Sequence, residues 1–139
     1  MSKLWKTTAR ILPALLLTAA GSLGLQAQAQ GQIPPMHEKG AVQYSCGGIG
    51  KDESTAMRAA MKDYPLSLLF AAKDGEYLAD VSVDIQSSQA SAQFVAGGPV
   101  CLVKLPAGSY KVTATSKDGQ SHSQSVTTGK SAHSLDFRF

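Results

Sequence analysis

Apolar and polar residues alternate along much of the chain with a period of two, which is typical of a half-buried β-strand. The clearest run is 81–86, where valine and isoleucine alternate with serine, aspartate and glutamine. Turn signals, such as Asp74-Gly75 and Asp118-Gly119, separate the strand-like runs. These runs are 66–70, 77–86, 92–95, 100–105, 110–115, 120–128 and 135–139. About seven short strands with this spacing predict a mainly β protein, a Greek-key β-sandwich.

One segment has helical rather than strand periodicity. Met57 and the residues three and four positions after it share one helix face. Asp52 is expected to cap the helix, and Pro65 ends it because the residue before a proline avoids the α region. The sequence therefore predicts one short N-terminal α-helix over Asp52–Asp63.

The segment 105–110 (Leu-Pro-Ala-Gly-Ser-Tyr) lies between two strand patterns. Pro106 fixes a negative φ and Gly108 permits conformations that other residues resist, so we expect a tight reversal between two adjacent antiparallel strands. Tyr110 is expected to bury its ring while its hydroxyl bonds the backbone, as in a tyrosine corner. Leu105, Pro106, Gly108 and Tyr110 are thus expected to build the fold.

The first 29 residues are typical of a secretory signal peptide. Three cations within the first ten residues precede the uncharged segment 11–25, and Ala27-Gln28-Ala29 predicts cleavage before Gln30. The apolar segment has 15 residues, whereas a bilayer span needs about 20, so no transmembrane anchor is expected. The predicted location is periplasmic or secreted.

Charge argues against nucleic acid as a partner. The chain has 13 Lys and Arg against 10 Asp and Glu, and the three cations Lys3, Lys6 and Arg10 belong to the predicted signal. The mature chain is therefore neutral, while a nucleic-acid binder needs a cationic face.

The remaining 110 residues suffice for one hydrophobic core. We divide the chain into a signal peptide (1–29), a Gln/Gly/Pro-rich tether (30–43), a Gly-rich loop with the helix (44–64) and a β-sandwich (65–139). A short first strand could occupy 41–44.

The chain has two cysteines, Cys46 and Cys101. In an oxidising compartment we favour a structural disulfide between them, with Cys46 linking the start of the helix to the sheet. A metal pair, a redox-active thiol or two simply buried cysteines are the alternatives. No Cys-x-x-Cys motif is present, and no further ligands follow a metal-site pattern.

Three segments in order resemble the carboxypeptidase regulatory-like domain, a transthyretin-like (prealbumin-like) β-sandwich. They are Tyr-Leu-Ala-Asp-Val-Ser-Val-Asp-Ile at 77–85, Gly-Pro-Val at 98–100 and Leu-Pro-Ala-Gly-Ser-Tyr-Lys-Val at 105–112. The resemblance covers 66–139, and the segment 44–64 resembles the front of small exported proteobacterial proteins that carry this sandwich. The resemblance to the carboxypeptidase regulatory-like domain implies a non-catalytic protein that serves as a stability module, a spacer or a binding surface.

Two candidate sites have little support in the sequence. The Gly-rich loop before the helix departs from the phosphate-binding P-loop, with Ser45 at its first glycine and Asp52 at its Ser/Thr. His37, His122 and His133 are too dispersed for a metal-site pattern. We therefore expect no metal and no cofactor.

An enzymatic alternative comes from hydroxyisourate hydrolase, which shares the transthyretin-like fold. Its pocket uses histidines and an arginine, and its chain ends in Tyr-Arg-Gly-Ser. This chain ends in Leu-Asp-Phe-Arg-Phe, and Arg138 is expected to pair with Asp136 at the surface. The favoured interpretation is an exported, non-catalytic accessory or binding module of the cell envelope, with an envelope protein or polysaccharide as partner.

Overall fold

The computed structural model describes residues 32–139. The predicted signal peptide and its cleavage site before Gln30 lie outside this range. The described part of the chain forms one α-helix and nine strands, in this order: β1 (His37–Lys39), β2 (Val42–Gly47), α1 (Lys51–Ala60), β3 (Leu66–Ala71), β4 (Val81–Gln86), β5 (Ser91–Ala96), β6 (Val100–Lys104), β7 (Gly108–Thr115), β8 (Ser121–Thr128) and β9 (His133–Arg138).

The strands form two sheets, which confirms the predicted β-sandwich with one short helix. A five-stranded sheet has the order β1-β2-β6-β3-β9, and a four-stranded sheet has the order β5-β4-β7-β8. All pairs are antiparallel except β3 and β9, which run parallel. The polar strand β8 lies at an edge of the four-stranded sheet.

The two sheets have nine strands within the described residues, whereas the sequence predicts about seven and a possible short one at 41–44, because the chain before the helix joins the five-stranded sheet. Strand β1 pairs with β2, and β2 pairs with β6 from Gln43 opposite Lys104 to Gly47 opposite Val100. Strand β2 runs through the predicted boundary at residue 44. The segment 37–47 is therefore part of the five-stranded sheet: β2 corresponds to the short strand expected at 41–44, and β1 lies within the segment assigned to the tether, 30–43.

Inward-facing side chains from both sheets fill the space between them. Burying each large one contributes about 1.5–3 kcal/mol to stability. The rings of Phe70 and Phe137 lie 5.9 Å apart, and Leu135 and Phe139 of the last strand segment are buried with Phe137. The other core side chains include Val42, Leu66, Leu68, Val81, Val83, Ile85, Phe94, Cys101, Val103, Tyr110, Val112 and Ala114.

The helix packs on the outer face of the five-stranded sheet. Met57 is fully buried against Val100 and Leu102 of β6. Helix α1 ends at Ala60 and a 3-10 turn follows over Met61–Asp63, close to the predicted helix end. Among the described residues, no helix has both the length and the apolar character needed to cross a membrane.

The predicted helix cap is wrong. Gly50 occupies the N-cap with a φ of 85°, a left-handed conformation that favours glycine, and no side chain caps the helix there. Asp52 instead lies within the first turn, where its negative charge still favours the helix dipole.

The reversal at 105–110 also differs from its prediction. Strand β6 belongs to the five-stranded sheet and β7 to the four-stranded sheet. The segment is therefore a crossing between the sheets and not a hairpin between adjacent strands. A proline-glycine reversal has the same local chemistry in both cases, so the sequence signal cannot separate them.

Gly98 allows two strand ends to approach closely, and this gives a testable prediction. A Cβ on Gly98 would clash with the carbonyl oxygen of Gly47, at the end of β2. We expect Gly98→Ala to lower the free energy of unfolding by about 1–3 kcal/mol, as for other overpacked positions. The matched control is Gly97→Ala, because a Cβ there meets nothing within 4 Å. Equal denaturant midpoints for the two variants would contradict the prediction.

Candidate functional site

The predicted disulfide is present. Cys46 on β2 and Cys101 on β6 are bonded, with Cα atoms 4.1 Å apart, and they lie directly opposite each other in the paired strands. Cys101 is fully buried in the core. The bond joins two neighbouring strands of one sheet, so the predicted link to the helix start is wrong: α1 begins beyond the end of β2, at Lys51.

The predicted tyrosine corner is also present. Tyr110 is only 2% exposed, and its hydroxyl donates a 2.6 Å hydrogen bond to the carbonyl oxygen of Pro106. The Thr128 hydroxyl donates to the same oxygen at 3.3 Å. Burial raises the pKa of the Tyr110 phenol, and the Ser87 hydroxyl partly offsets this. These contacts hold the crossing from β6 to β7 in place and leave Tyr110 a structural role.

Gly108 does not need the backbone freedom of glycine. Its φ is not positive, unlike that of Gly75 or Gly119 in the turns. A Cβ on Gly108 would meet the end of the Gln89 side chain, which is exposed and can move away. Leu105, the first residue of the motif, is half-buried against the core.

The Gly-rich loop before the helix binds a carboxylate of the same chain. The backbone N–H of Gly48 donates a 2.8 Å hydrogen bond to the Glu53 carboxylate in the first turn of α1. A carboxylate of the chain thus lies where an anion would have to approach, in accordance with the sequence-based argument against a phosphate site.

The histidines lie on three different strands, and two of them make aromatic contacts. His37 on β1 lies 5.3 Å from the ring of Tyr44, and His122 on β8 lies 5.2 Å from the ring of Phe139. His133 begins β9 and is exposed. Across residues 32–139, no group of three or more His, Cys, Asp or Glu side chains could hold a metal ion.

Arg138 lies on the surface as predicted. Its guanidinium pairs with the Asp136 carboxylate at 3.1 Å, and both side chains are about half exposed. An exposed pair of this kind contributes little to stability.

The outer face of the four-stranded sheet carries a polar surface that the sequence analysis did not assign. Strand pairing places Gln93, Asp84, Thr113 and Ser123 in one row across the sheet. The next row is Val95, Ser82, Thr115 and Ser121. The hydroxyls of Thr113 and Ser123 are 2.7 Å apart, and those of Thr115 and Ser121 are 2.9 Å apart. These hydrogen bonds fix the side chains on a rigid sheet.

Two adjoining cavities on this face form what we call the Asp84 groove. The first has a volume of about 370 Å³ and lies over the rows of Ser82 and Asp84. The second has a volume of about 490 Å³ and extends to the turn between β1 and β2 at Lys39 and Gly40. Asp84 and Gln93 line both cavities. Both are open depressions of the surface and not enclosed pockets.

Asp84 is the centre of the groove. Its Oδ2 accepts a 3.0 Å hydrogen bond from the Gln86 side chain. Its Oδ1 is buried and has no hydrogen-bond partner within residues 32–139. A buried acceptor without a partner costs stability, and because solvent does not reach this oxygen, the protein shields it from a ligand in the groove.

The groove can bind through hydrogen bonds. It combines one carboxylate with amide and hydroxyl groups, which can donate and accept. The sequence already contains a signal for it, since Ser82, Asp84 and Gln86 alternate outward along β4. What the sequence does not contain is the strand register that places Gln93 and Thr113 on either side of Asp84.

No protein-family profile matches the chain, and no curated protein matches it. A fold alone does not define a function, so the role of the protein has to be inferred from its own residues.

Proposed function

We propose that this protein is an exported, non-catalytic β-sandwich that acts as an accessory or binding module of the cell envelope. The resemblance of segments 77–85, 98–100 and 105–112 to carboxypeptidase regulatory-like, transthyretin-like domains favours this role. The Cys46–Cys101 disulfide is what an oxidising compartment permits, so it supports the periplasmic or secreted location expected from the signal.

The observation that carries the proposal is the division of the sandwich into a filled interior and an open polar groove. Apolar side chains and the disulfide occupy the space between the sheets, so polar groups that could meet a partner lie outside it. The Asp84 groove combines Asp84 with neutral groups such as Gln93 and Ser82. Such a lining suits hydrogen bonding to a partner. It suits nucleophilic catalysis less well, because that chemistry needs a nucleophile placed beside a base.

Retention on envelope material tests the proposal. Tagged mature protein would be mixed with two envelope fractions, one of proteins and one of protease-treated polysaccharide, and the retained fraction measured. We expect specific retention on one of them, competed by untagged protein. A sandwich unfolded by reduction in denaturant serves as the control. No retention on either fraction would overturn the binding role.

A turnover assay tests the enzymatic alternative. We expect the mature protein not to hydrolyse hydroxyisourate, and His122→Ala and His133→Ala each to change stability by no more than about 0.5 kcal/mol, as at ordinary surface positions. Turnover that either substitution abolishes, with the fold intact by circular dichroism, would replace the binding module with a hydrolase.

A further inference from the structure

We propose that one end of the sandwich, which carries four lysines, docks on a membrane surface of anionic phospholipids. This end is separate from the Asp84 groove, and contact with a lipid surface goes beyond the proposed binding function. The features that point to it are the position of the lysines, their lack of partners, the acidic character of the opposite end and the apolar groups among the lysines.

Strand pairing brings the lysines to one end of the molecule. Gln43 at the start of β2 lies opposite Lys104, the last residue of β6, and Leu66 at the start of β3 lies beside His133 at the start of β9. The turns that precede or follow these strand ends therefore meet at the same end. The lysines in or beside these turns define what we call the lysine end: Lys39, Lys62, Lys104 and Lys130.

The lysines of this end are available to an external partner. All four side chains are exposed, and none forms an ion pair with a carboxylate of residues 32–139. Lys62 and Lys130 line one open depression of about 350 Å³ together with Tyr64. The Lys104 ammonium lies 5.3 Å from the centre of the Tyr64 ring. Three of the four positive charges thus surround one tyrosine.

The charges of the described chain are separated between its two ends. Near the lysine end, the carboxylates are Asp63, which lines the depression, and Glu38, which accepts a 3.1 Å hydrogen bond from the Gln43 side chain. At the opposite end, four cations stand against seven carboxylates. The cations there are Lys51, Lys73, Lys117 and Arg138, and the carboxylates are Asp52, Glu53, Asp74, Glu76, Asp80, Asp118 and Asp136.

The arrangement of the lysines favours an extended anionic surface over a single anion. Strands β1 and β6 are separated by β2, so Lys39 and Lys104 start from positions about 10 Å apart. The open depression is lined by Lys62 and Lys130, so a soluble polyanion lying in it would leave the other two lysines unused. A bilayer presents many phosphates in one plane, and each lysine near it gains from the negative surface potential.

Apolar groups lie among these lysines, which suits the interface of a bilayer. Pro106 and Ala107 are exposed at the crossing from β6 to β7, and Ala132 is exposed in the turn before β9. Tyr64 is half-buried in the same region. Tyrosine is enriched at membrane interfaces, because its ring can contact the lipid while its hydroxyl stays in water.

The charge separation also sets the orientation of the docked protein. An anionic bilayer attracts the lysine end and repels the acidic end, so the strands are expected to stand upright on the surface. The Asp84 groove lies on the outer face of the four-stranded sheet, between the two ends. Docking by the lysine end would therefore leave the groove open to a partner beside the membrane.

The key variant replaces three of the lysines together: Lys62→Gln, Lys104→Gln and Lys130→Gln. The matched control is Lys51→Gln with Lys73→Gln and Lys117→Gln, which removes the same charge from exposed positions at the opposite end. That end lies a full strand away, which is more than the Debye length of about 10 Å at moderate salt. Thermal unfolding would verify that both triple variants fold.

Binding would be measured by co-sedimentation of the mature protein with vesicles of phosphatidylcholine and phosphatidylglycerol in equal amounts. Vesicles of phosphatidylcholine alone and soluble alginate serve as the other probes. We expect binding to the anionic vesicles that high salt removes, a loss of about tenfold or more in the lysine-end variant, and a change within about twofold in the control variant.

Four results would overturn the inference. They are absence of binding to the anionic vesicles, equal binding to the neutral vesicles, an equal loss in the two triple variants, and binding to alginate in preference to the anionic vesicles. An equal loss would assign the attraction to total charge rather than to the lysine end. Retention on the envelope protein and polysaccharide fractions is a separate measurement without lipid, so these outcomes leave the proposed binding function to its own test.

Discussion

Reduction of the Cys46–Cys101 disulfide is expected to lower the free energy of unfolding by about 4 kcal/mol. The bond connects residues 55 positions apart. In the chain-entropy account, closing a loop of that length restricts the unfolded chain by about this amount. The loss is a large share of the 5–15 kcal/mol that is typical of a whole domain.

The measurement is urea denaturation of the oxidised protein and of the same protein in reductant. A double variant, Cys46→Ala with Cys101→Ala, provides the control, because it should respond to urea equally with and without reductant. Coincident midpoints for oxidised and reduced wild-type protein would contradict the prediction. A shift of the double variant by reductant would mean that the reductant acts elsewhere.

Replacement of Tyr110 by alanine is expected to cost about 3–5 kcal/mol. The ring is almost fully buried between the sheets, and its removal leaves a cavity in the core. The substitution also removes the hydrogen bond to the Pro106 carbonyl, which anchors the crossing from β6 to β7. Denaturant unfolding of the purified mature protein measures the loss.

Tyr110→Phe separates the two contributions. It keeps the ring and removes the hydroxyl, so we expect a loss of about 1 kcal/mol. If Tyr110→Phe lowered the free energy of unfolding as much as Tyr110→Ala, the hydrogen bond and not the ring would account for the stabilisation. The raised pKa of Tyr110 means that the fold favours the neutral phenol, so its contribution is present below about pH 10 and is lost as the pH rises further. The phenylalanine variant should lack this part of the alkaline loss.

Local patterns predicted the elements whose signals lie within the element itself. The alternation at Val81–Gln86 and at His133–Arg138 defines two strands, and the turn at Asp118-Gly119 connects β7 to β8. Each of these features depends on residues close in sequence. The tyrosine corner could be predicted for the same reason, because Tyr110 and Pro106 are only four residues apart.

Features that depend on distant pairing were predicted only in part. Strand β1 was not predicted, and β2 was expected only as a short strand at 41–44, whereas its pairing with β6 extends it to Gly47. Strand β7 belongs to the four-stranded sheet because it pairs with β4 and β8. The Asp84 groove has the same origin, because β4 brings together side chains from β5 and β7. The sequence shows which polar residues each of these strands carries, but only the strand register brings them together in the groove.

The order of strands in the five-stranded sheet has a consequence for how the protein folds. Strand β3 pairs in parallel with β9, the last strand. Strand β2 pairs with β6, which lies more than fifty residues later in the chain. Pairings of such high contact order form slowly, while the hairpins β4-β5 and β7-β8 of the other sheet are local. We therefore expect the four-stranded sheet to form first. The five-stranded sheet is complete only when His133–Arg138 has been synthesised, so one edge of β3 stays unpaired until then.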